Sequence, residues 1–193
     1  MEDRRNLVDE FKGLPNEVVV GRLRGRRSGL EVAIENLEHD FNIGTVVRNA
    51  NAFNVQLVHI VGRRKYNRRG AMCTDKYLDI KYWESPAEFA KDQEARGREI
   101  VAIENNVKGA RALGEKCFLK KTTLCFGSER QGLSEEMLFF AKDIRYIESF
   151  GSTRSVNVGV ASGIAMYEWV RQNMLQCGYG KDPSRATKGG GVG

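Results

Sequence analysis

Residues 124–134 read LCFGSERQGLS, a stretch that passes from an apolar run to a helix start through a loop with two glycines. The apolar run predicts a buried strand, and Ser134 followed by two glutamates predicts the first turn of a helix. Gly127 and Gly132 permit a close backbone approach to a ligand, and Glu129 is displayed between them. The plainer alternative is a strand–loop–helix connection in which Ser134 is only a cap.

The same alternation of strand and helix extends on both sides of this stretch. Strands are predicted over residues 30–37, 55–61, 81–83, 100–103, 123–127 and 143–147. Helices are predicted over residues 43–53, 86–94, from 134 onward and over 155–174. Strands that alternate with helices predict an α/β fold, in which helices flank a mostly parallel sheet.

The two ends of the chain differ from this pattern. Residues 1–29 predict a short helix around Phe11 and then a basic arm, in which glycines alternate with four arginines: Arg22, Arg24, Arg26 and Arg27. Arginine forks suit phosphates, so we expect this arm to contact RNA, the alternative being a solvated arm that aids solubility. Residues 176–193 are rich in glycine and predict a disordered tail, which leaves residues 30–175 as the folded domain.

Composition restricts the class of protein. The chain has 193 residues, and 31 Lys and Arg against 25 Asp and Glu give a net charge of +6, which favours a polyanionic partner. No apolar run approaches the ~20 residues of a membrane span, and no secretory signal opens the chain, so we expect a cytoplasmic protein without a membrane partner. The four cysteines form no C-x-x-C pair, and neither histidine has metal-ligand spacing, so no metal is expected.

A cationic cluster directly follows the strand that ends near Val61. It consists of Arg63, Arg64, Lys65, Arg68 and Arg69, placed around Tyr66. Ligands of open α/β sheets bind beyond the carboxyl ends of strands, and an aromatic ring among cations suits single-stranded or looped RNA. The alternative is a solvated loop.

Two further segments are rich in Gly, Asn and Ser where a helix is about to begin. In residues 42–50, Asn42 can cap a helix on which Gly44 and Arg48 share one face, so that a ligand or another chain could approach the guanidinium. In residues 147–161, Ser155 could be a cap, whereas an asparagine at position 157, among apolar neighbours, is harder to explain as a helix interior residue. No G-x-G-x-x-G follows a strand and no P-loop is present, which disfavours a nucleotide-cofactor oxidoreductase or an NTPase.

Taken together and in order, the three segments resemble the three motifs of the SpoU (TrmH-type) RNA 2′-O-ribose methyltransferases of the SPOUT superfamily. The family patterns are N-x-G-x-x-x-R, F-G-x-E-G-x-G-L-S and I-P-M-x-G-x-x-x-S-L-N-V-S-V-A, and the resemblance covers roughly residues 30–172. This chain departs from them at Arg130, which replaces a glycine, at Glu148-Ser149, which replace Pro-Met, and at Val156 and Gly159, which replace Leu and Ser.

The resemblance implies a reaction and a set of site residues. The chain would transfer a methyl group from S-adenosyl-L-methionine to a ribose 2′-hydroxyl of tRNA or rRNA, with tRNA favoured and guanosine as a candidate nucleoside. The implied catalytic residues are Asn42, Arg48, Glu129, Ser155 and Asn157. The implied cofactor-binding residues are Gly127, Gly132, Ile147 and Val156.

The resemblance also implies a C-terminal deep trefoil knot and a homodimer. Two roles for Arg48 stay open at this point: a base that removes the 2′-hydroxyl proton, or a fixed cation that stabilises the developing alkoxide. A rival interpretation is an RNA-binding protein on the same fold, without catalysis because Glu148-Ser149 alter the cofactor pocket.

Overall fold

Parallel strands form the sheet that the alternating pattern predicts. The protein is described here by a computed structural model, which covers residues 3–37 and 42–175. Its strands are β1 (Glu31–Asn36), β2 (Leu57–Gly62), β3 (Ile80–Trp83), β4 (Glu99–Ile103), β5 (Arg111–Ala112), β6 (Thr122–Phe126) and β7 (Asp143–Tyr146). Across the sheet they run β3-β2-β1-β6-β4-β7-β5, and each of these pairs is parallel. The α/β prediction is confirmed; the two-residue edge strand β5 was not predicted.

Three of the five α-helices in the described part of the chain begin after a residue whose side chain caps them. The helices are α1 (Asn16–Arg24), α2 (Ile43–Ala52), α3 (Pro86–Ala95), α4 (Glu135–Phe140) and α5 (Val158–Val170). Ser85 Oγ accepts a hydrogen bond from the Glu88 amide, and Ser134 Oγ accepts one from the Met137 amide. α5 starts three residues later than predicted, because Asn157 and not Ser155 is its cap. After Val170 it continues as one π-helical turn, Arg171–Leu175.

The N-terminal segment differs from the prediction of a loose arm. The short helix expected around Phe11 is a single 3-10 turn, Asp9–Phe11, and the Gly/Arg stretch is itself helical as α1. Val19 of α1 packs with Phe11 and Tyr77 in a small core of its own. The predicted tail, residues 176–193, lies outside the described residues.

The main core lies on both faces of the sheet because successive strand residues point in opposite directions. Val32 and Ile34 of β1 pack in a cluster with α2 and α5, whereas Ala33 packs on the other face in a cluster with α3 and α4. Within the described residues, no helix combines the length and the apolar character needed to cross a membrane.

The strand order places three chain segments at one edge of the sheet. The carboxyl ends of β4 and β1 flank that of β6, since Ile103 and Ile34 both lie beside Phe126. β4 also pairs with β7, so the loops that follow β4, β6 and β7 all emerge at this edge. Segments that are far apart in the sequence therefore meet at one place.

Candidate active site

A cavity of about 540 Å³ opens at this carboxyl edge. Its volume falls within the range of roughly 300–1,000 Å³ that is usual for small-molecule sites. Its wall includes all four residues that the motifs assign to the cofactor and three of the five that they assign to catalysis: Gly127, Gly132, Ile147, Val156, Glu129, Ser155 and Asn157. Two motif segments thus form one cavity.

The loop after β6 closes on itself through its glycines. Ser128 and Gly132 exchange backbone hydrogen bonds of 3.1 and 2.9 Å, and Gly132 has a φ of +69°. A Cβ on Gly127 would lie 2.1 Å from the carbonyl carbon of Gly132. The close backbone approach that these glycines permit is used within the loop itself, and it presents Glu129 at the tip.

Three polar side chains from the three motifs meet at the rim of the cavity. Asn42 Nδ2 donates to Glu129 Oε2 at 2.5 Å, and Asn157 Nδ2 donates to Glu129 Oε1 and to Asn42 Oδ1, both at 3.0 Å. Asn157 Oδ1 accepts from the Gly159 amide at 2.9 Å and so caps α5. One asparagine thus joins the start of α5 to the other two motifs, and we call Asn42, Glu129 and Asn157 the amide–carboxylate cluster.

The prediction that the Asn42 side chain caps α2 is wrong. Asn42 occupies the position before α2, but its side chain makes no capping bond and belongs to the amide–carboxylate cluster instead. Farther along α2, Asn49 Nδ2 donates to the Gly159 carbonyl at 2.7 Å and to Ser162 Oγ at 2.9 Å. These bonds hold α5 against α2 and fix the spacing within the cluster.

Arg48 lies outside the cavity wall. Its side chain is exposed on α2, and among the described residues it forms no hydrogen bond or ion pair. The prediction that a ligand approaches Arg48 over Gly44 is wrong, because a Cβ on Gly44 would lie 2.8 Å from both the Asn67 carbonyl oxygen and the Ala71 nitrogen. The chain's own loop fills that space.

Two carboxylates that the sequence analysis did not single out hold the loop after β6. Glu35, buried at the end of β1, accepts from the Ser134 amide and hydroxyl at 2.7 and 2.6 Å. Glu104, directly after β4, accepts from the Leu133 and Asn105 amides at 2.9 and 3.0 Å. Burial raises the pKa of the Glu104 carboxyl. The sequence signal that could have identified both residues is a glutamate at the carboxyl end of a mainly apolar strand, Glu35 in β1 and Glu104 after β4.

The basic loop after β2, residues 63–69, is seated directly on α2. Gly70 and Gly44 pack backbone against backbone, since a Cβ on Gly44 would lie 2.9 Å from Gly70 Cα. The five cations predicted for this loop are all exposed, although Arg68 lies 3.3 Å from Asp75. Tyr66 is half-buried and packs against the main core, so the prediction that its ring is available for stacking is wrong.

The N-terminal arginines are mostly engaged within the chain. Arg24 and Arg27 form ion pairs with Asp79 at 2.8 and 2.5 Å, and Arg26 pairs with Glu10 at 2.8 Å. Arg22 is exposed. RNA contact by this segment stays a prediction.

The described residues contain no cluster of three or more His, Cys, Asp or Glu side chains that could hold a metal ion. Glu148 and Ser149, the departures from the third motif, do not line the cavity of about 540 Å³. Ser149 instead lines a neighbouring cavity of about 380 Å³, which shares Ile147 and Arg154 with the first.

Comparison with known proteins agrees with this geometry. The tRNA (guanosine(18)-2′-O)-methyltransferase of Aquifex aeolicus is 30% identical over 154 residues, which are 78% of this chain and 72% of that protein. The crystal structure of the A. aeolicus TrmH/SpoU tRNA modifying enzyme superposes with a TM-score of 0.73 at 29% identity, and covers 85% of this chain and 87% of that one.

A second solved structure contains a cofactor. The SpoU methyltransferase AviRb from Streptomyces viridochromogenes, in complex with AdoMet, matches with a TM-score of 0.68 at 25% identity, over 79% of this chain and 63% of that one. The SpoU rRNA Methylase family matches residues 29–167, which include all three motif segments and the whole cavity wall. The chain therefore belongs to the SpoU methylase family.

Proposed function

We propose that this protein methylates a ribose 2′-hydroxyl of tRNA, with a guanosine as the target nucleoside. As a SpoU-family protein it is an RNA methyltransferase, and S-adenosyl-L-methionine is its cofactor. The choice of tRNA rests on the relatives, whose names specify guanosine 18 of tRNA. The observation that carries the proposal is the amide–carboxylate cluster at the rim of a cavity lined by the four expected cofactor residues.

The cavity suits a nucleoside-containing cofactor. Its wall combines apolar side chains such as Ile147 and Val156 with backbone from the glycine loop, a mixture typical of small-molecule sites. We assign cofactor binding to Gly127, Gly132, Ile147 and Val156. When bound there, S-adenosylmethionine supplies a methyl group carried on a sulfonium.

The exposed polar groups at the rim would orient the ribose. Glu129 and Asn157 are exposed, so the amide–carboxylate cluster is accessible to an RNA substrate. Holding both reactants in line can contribute roughly 7–11 kcal/mol to lowering the barrier. We assign this positioning to Asn42, Glu129 and Asn157, and to Ser155 in the adjacent wall.

The ribose oxygen loses its proton as it becomes methylated, and we assign Arg48 to stabilising that oxygen. An arginine side chain keeps its proton in proteins, which makes it a poor base and a good fixed cation. Its exposed position on α2 leaves the guanidinium accessible to a phosphate or a developing alkoxide.

The test of the function is methyl transfer from radiolabelled S-adenosylmethionine to tRNA transcripts, followed by mapping of the modified nucleotide. Label in the ribose of a tRNA guanosine supports the proposal. Labelling of rRNA fragments alone would contradict the substrate assignment. Cofactor and RNA binding without transfer would favour the non-catalytic RNA-binding protein.

Removing charge from the basic loop is expected to weaken RNA binding and make it less dependent on salt. The logarithm of the binding constant falls linearly with the logarithm of the salt concentration, and each lost phosphate contact makes this slope shallower by a little under one unit. The triple variant Arg63→Ala, Arg64→Ala, Arg68→Ala should therefore make it shallower by up to about three units. Filter binding at several salt concentrations measures both quantities, and cofactor affinity should stay unchanged.

The matched control removes the same charge elsewhere. Lys116, Lys120 and Lys121 are exposed just before β6, at the opposite edge of the sheet, and their alanine variants should leave the slope unchanged. If the salt-dependence slope of the loop variant equals that of the wild type, the cations of residues 63–69 do not contact RNA phosphates and are only exposed to solvent.

We also infer that the protein is a homodimer through α5. This helix exposes an apolar row at intervals of three to four residues, Val160, Ile164 and Tyr167, each 39–53% exposed, and Val156, 36% exposed, lies just before it. Val160→Glu should therefore shift the protein toward a monomer in size-exclusion chromatography with light scattering. Phe139→Glu is the control, since Phe139 of α4 is 81% exposed, and this variant should keep the oligomeric state of the wild type. A dimer that persists in Val160→Glu contradicts this surface.

The trefoil knot and the domain limits belong to the same proposal. A knotted domain over residues 30–175, with residues 1–29 as an N-terminal segment and 176–193 as a tail, is what family membership supports. Mechanical unfolding tests the knot, because a tightened knot leaves the stretched chain shorter than its full contour length.

A further inference from the structure

Glu104 places a carboxylate in the cavity wall. It follows β4 directly and lines the cavity together with Gly132 and Leu133. Its two oxygens accept hydrogen bonds from the Leu133 and Asn105 amides, and a Cβ on Gly132 would lie 2.4 Å from Oε2. Each carboxylate oxygen can accept two hydrogen bonds, so both keep capacity for a ligand.

No cation of the described chain pairs with this carboxylate. The ion pairs formed among residues 3–37 and 42–175 do not include Glu104. By contrast, the buried Glu31 faces Arg96, Arg98 and His59. Buried Asp143 likewise faces Arg111 and Arg145.

Glu35 resembles Glu104 because it is buried and is also not part of these ion pairs. Its two oxygens accept from one residue, Ser134, and it does not line the cavity. Glu104 is different because it is half-buried and borders a space that a ligand can enter. A partly desolvated carboxylate without a cationic partner favours the entry of a cation into that space.

We propose that Glu104 is the counter-ion for the positive charge of the bound cofactor and makes the cavity select S-adenosylmethionine over uncharged analogues. This inference rests on the proposed function. S-adenosylmethionine carries two cationic groups, a sulfonium and an ammonium. S-adenosylhomocysteine keeps only the ammonium, and 5′-methylthioadenosine has neither.

The test is calorimetric binding of these three ligands to the wild type and to Glu104→Gln, which removes the charge and keeps the size. S-adenosylmethionine affinity should fall about tenfold or more, as expected for the loss of a charged partner. Affinity for 5′-methylthioadenosine should stay within about twofold, because no charge is involved. The affinity for S-adenosylhomocysteine identifies which cation Glu104 recognises. This affinity should fall as much as that for S-adenosylmethionine if the ammonium is recognised. It should stay unchanged if the sulfonium is recognised.

The control is Glu115→Gln. Glu115 is exposed outside the cavity and accepts a backbone hydrogen bond from Ala112, as Glu104 does from Leu133. This variant should bind all three ligands as the wild type does. The proposal is overturned if Glu104→Gln binds S-adenosylmethionine as the wild type does, or if its affinity for all three ligands falls equally. Glu104 would then only hold the loop after β6 in place through its hydrogen bonds.

If Glu104→Gln does not fold, the wild type itself provides the test. The preference for S-adenosylmethionine over 5′-methylthioadenosine should shrink as pH falls, because the raised pKa of Glu104 lets it take up a proton at a higher pH than an ordinary glutamate. The other charged groups in the cavity wall are Glu129, Arg130 and Arg154, so the titration is repeated with Glu129→Gln. A preference that stays constant with pH in Glu129→Gln, where Glu104 is still present, overturns the proposal. A wild type that binds none of the ligands instead refutes the proposed function.

Discussion

Arg48→Ala is expected to lower the rate of methyl transfer by about 10²–10³-fold or more, the effect of removing one group that stabilises a developing oxyanion. Cofactor affinity should remain within a few-fold of wild type, because Arg48 is exposed on α2 and does not line the cavity. Single-turnover kinetics measures the first quantity and calorimetry the second.

A lysine at position 48 separates the two possible roles of this residue. If Arg48 acts as a fixed cation, Arg48→Lys should restore a substantial part of the rate with no new ionisation in the pH–rate profile. Lys91→Ala, an exposed cation on α3, is the control and should leave the rate unchanged. Loss of cofactor binding as large as the loss of turnover in Arg48→Ala would contradict the assignment.

Gly127→Ala is expected to weaken cofactor binding by about 100-fold or more. The added Cβ would lie 2.1 Å from the Gly132 carbonyl carbon and 2.3 Å from the Leu133 nitrogen, so the loop after β6 has to open. Opening it moves Glu129 away from Asn157 and loosens the cavity wall. Overpacking of this kind typically destabilises a protein by about 1–3 kcal/mol.

Gly114→Ala is the matched control for Gly127→Ala. Gly114 is exposed outside the cavity wall, and a Cβ there would come no closer than 3.9 Å to another residue, at Glu168 Oε1, so cofactor affinity and melting temperature should match wild type. Calorimetry and thermal denaturation measure both variants. Near-normal cofactor binding by Gly127→Ala would mean that the closed glycine turn is not needed for the site.

The sequence predicted the sheet well because its strands are short apolar runs separated by recognisable helix starts. Ser134 caps a helix as predicted, and the helix predicted over residues 86–94 is found as α3. The edge strand β5 was missed because two residues, Arg111 and Ala112, carry no periodic signal. Asn157 was read as a helix interior residue, although its side chain caps α5.

The motifs named the three residues of the amide–carboxylate cluster, but they did not predict the hydrogen bonds between them. Motif order identified Asn42, Glu129 and Asn157, while only the strand order explains why they meet. The roles of Glu35 and Glu104 depend on amides about 99 and 29 residues away along the chain, at Ser134 and Leu133. Such pairings arise from tertiary structure, and a local pattern does not contain them.

The contact between Gly44 and Gly70 has a mechanical consequence. Where two backbones touch without intervening side chains, no change of rotamer can alter their spacing. The loop of residues 63–69 and the helix that carries Arg48 are therefore held together directly through their backbones. We expect this contact to keep the cations of the loop at a set distance from the Arg48 guanidinium when a polyanion binds.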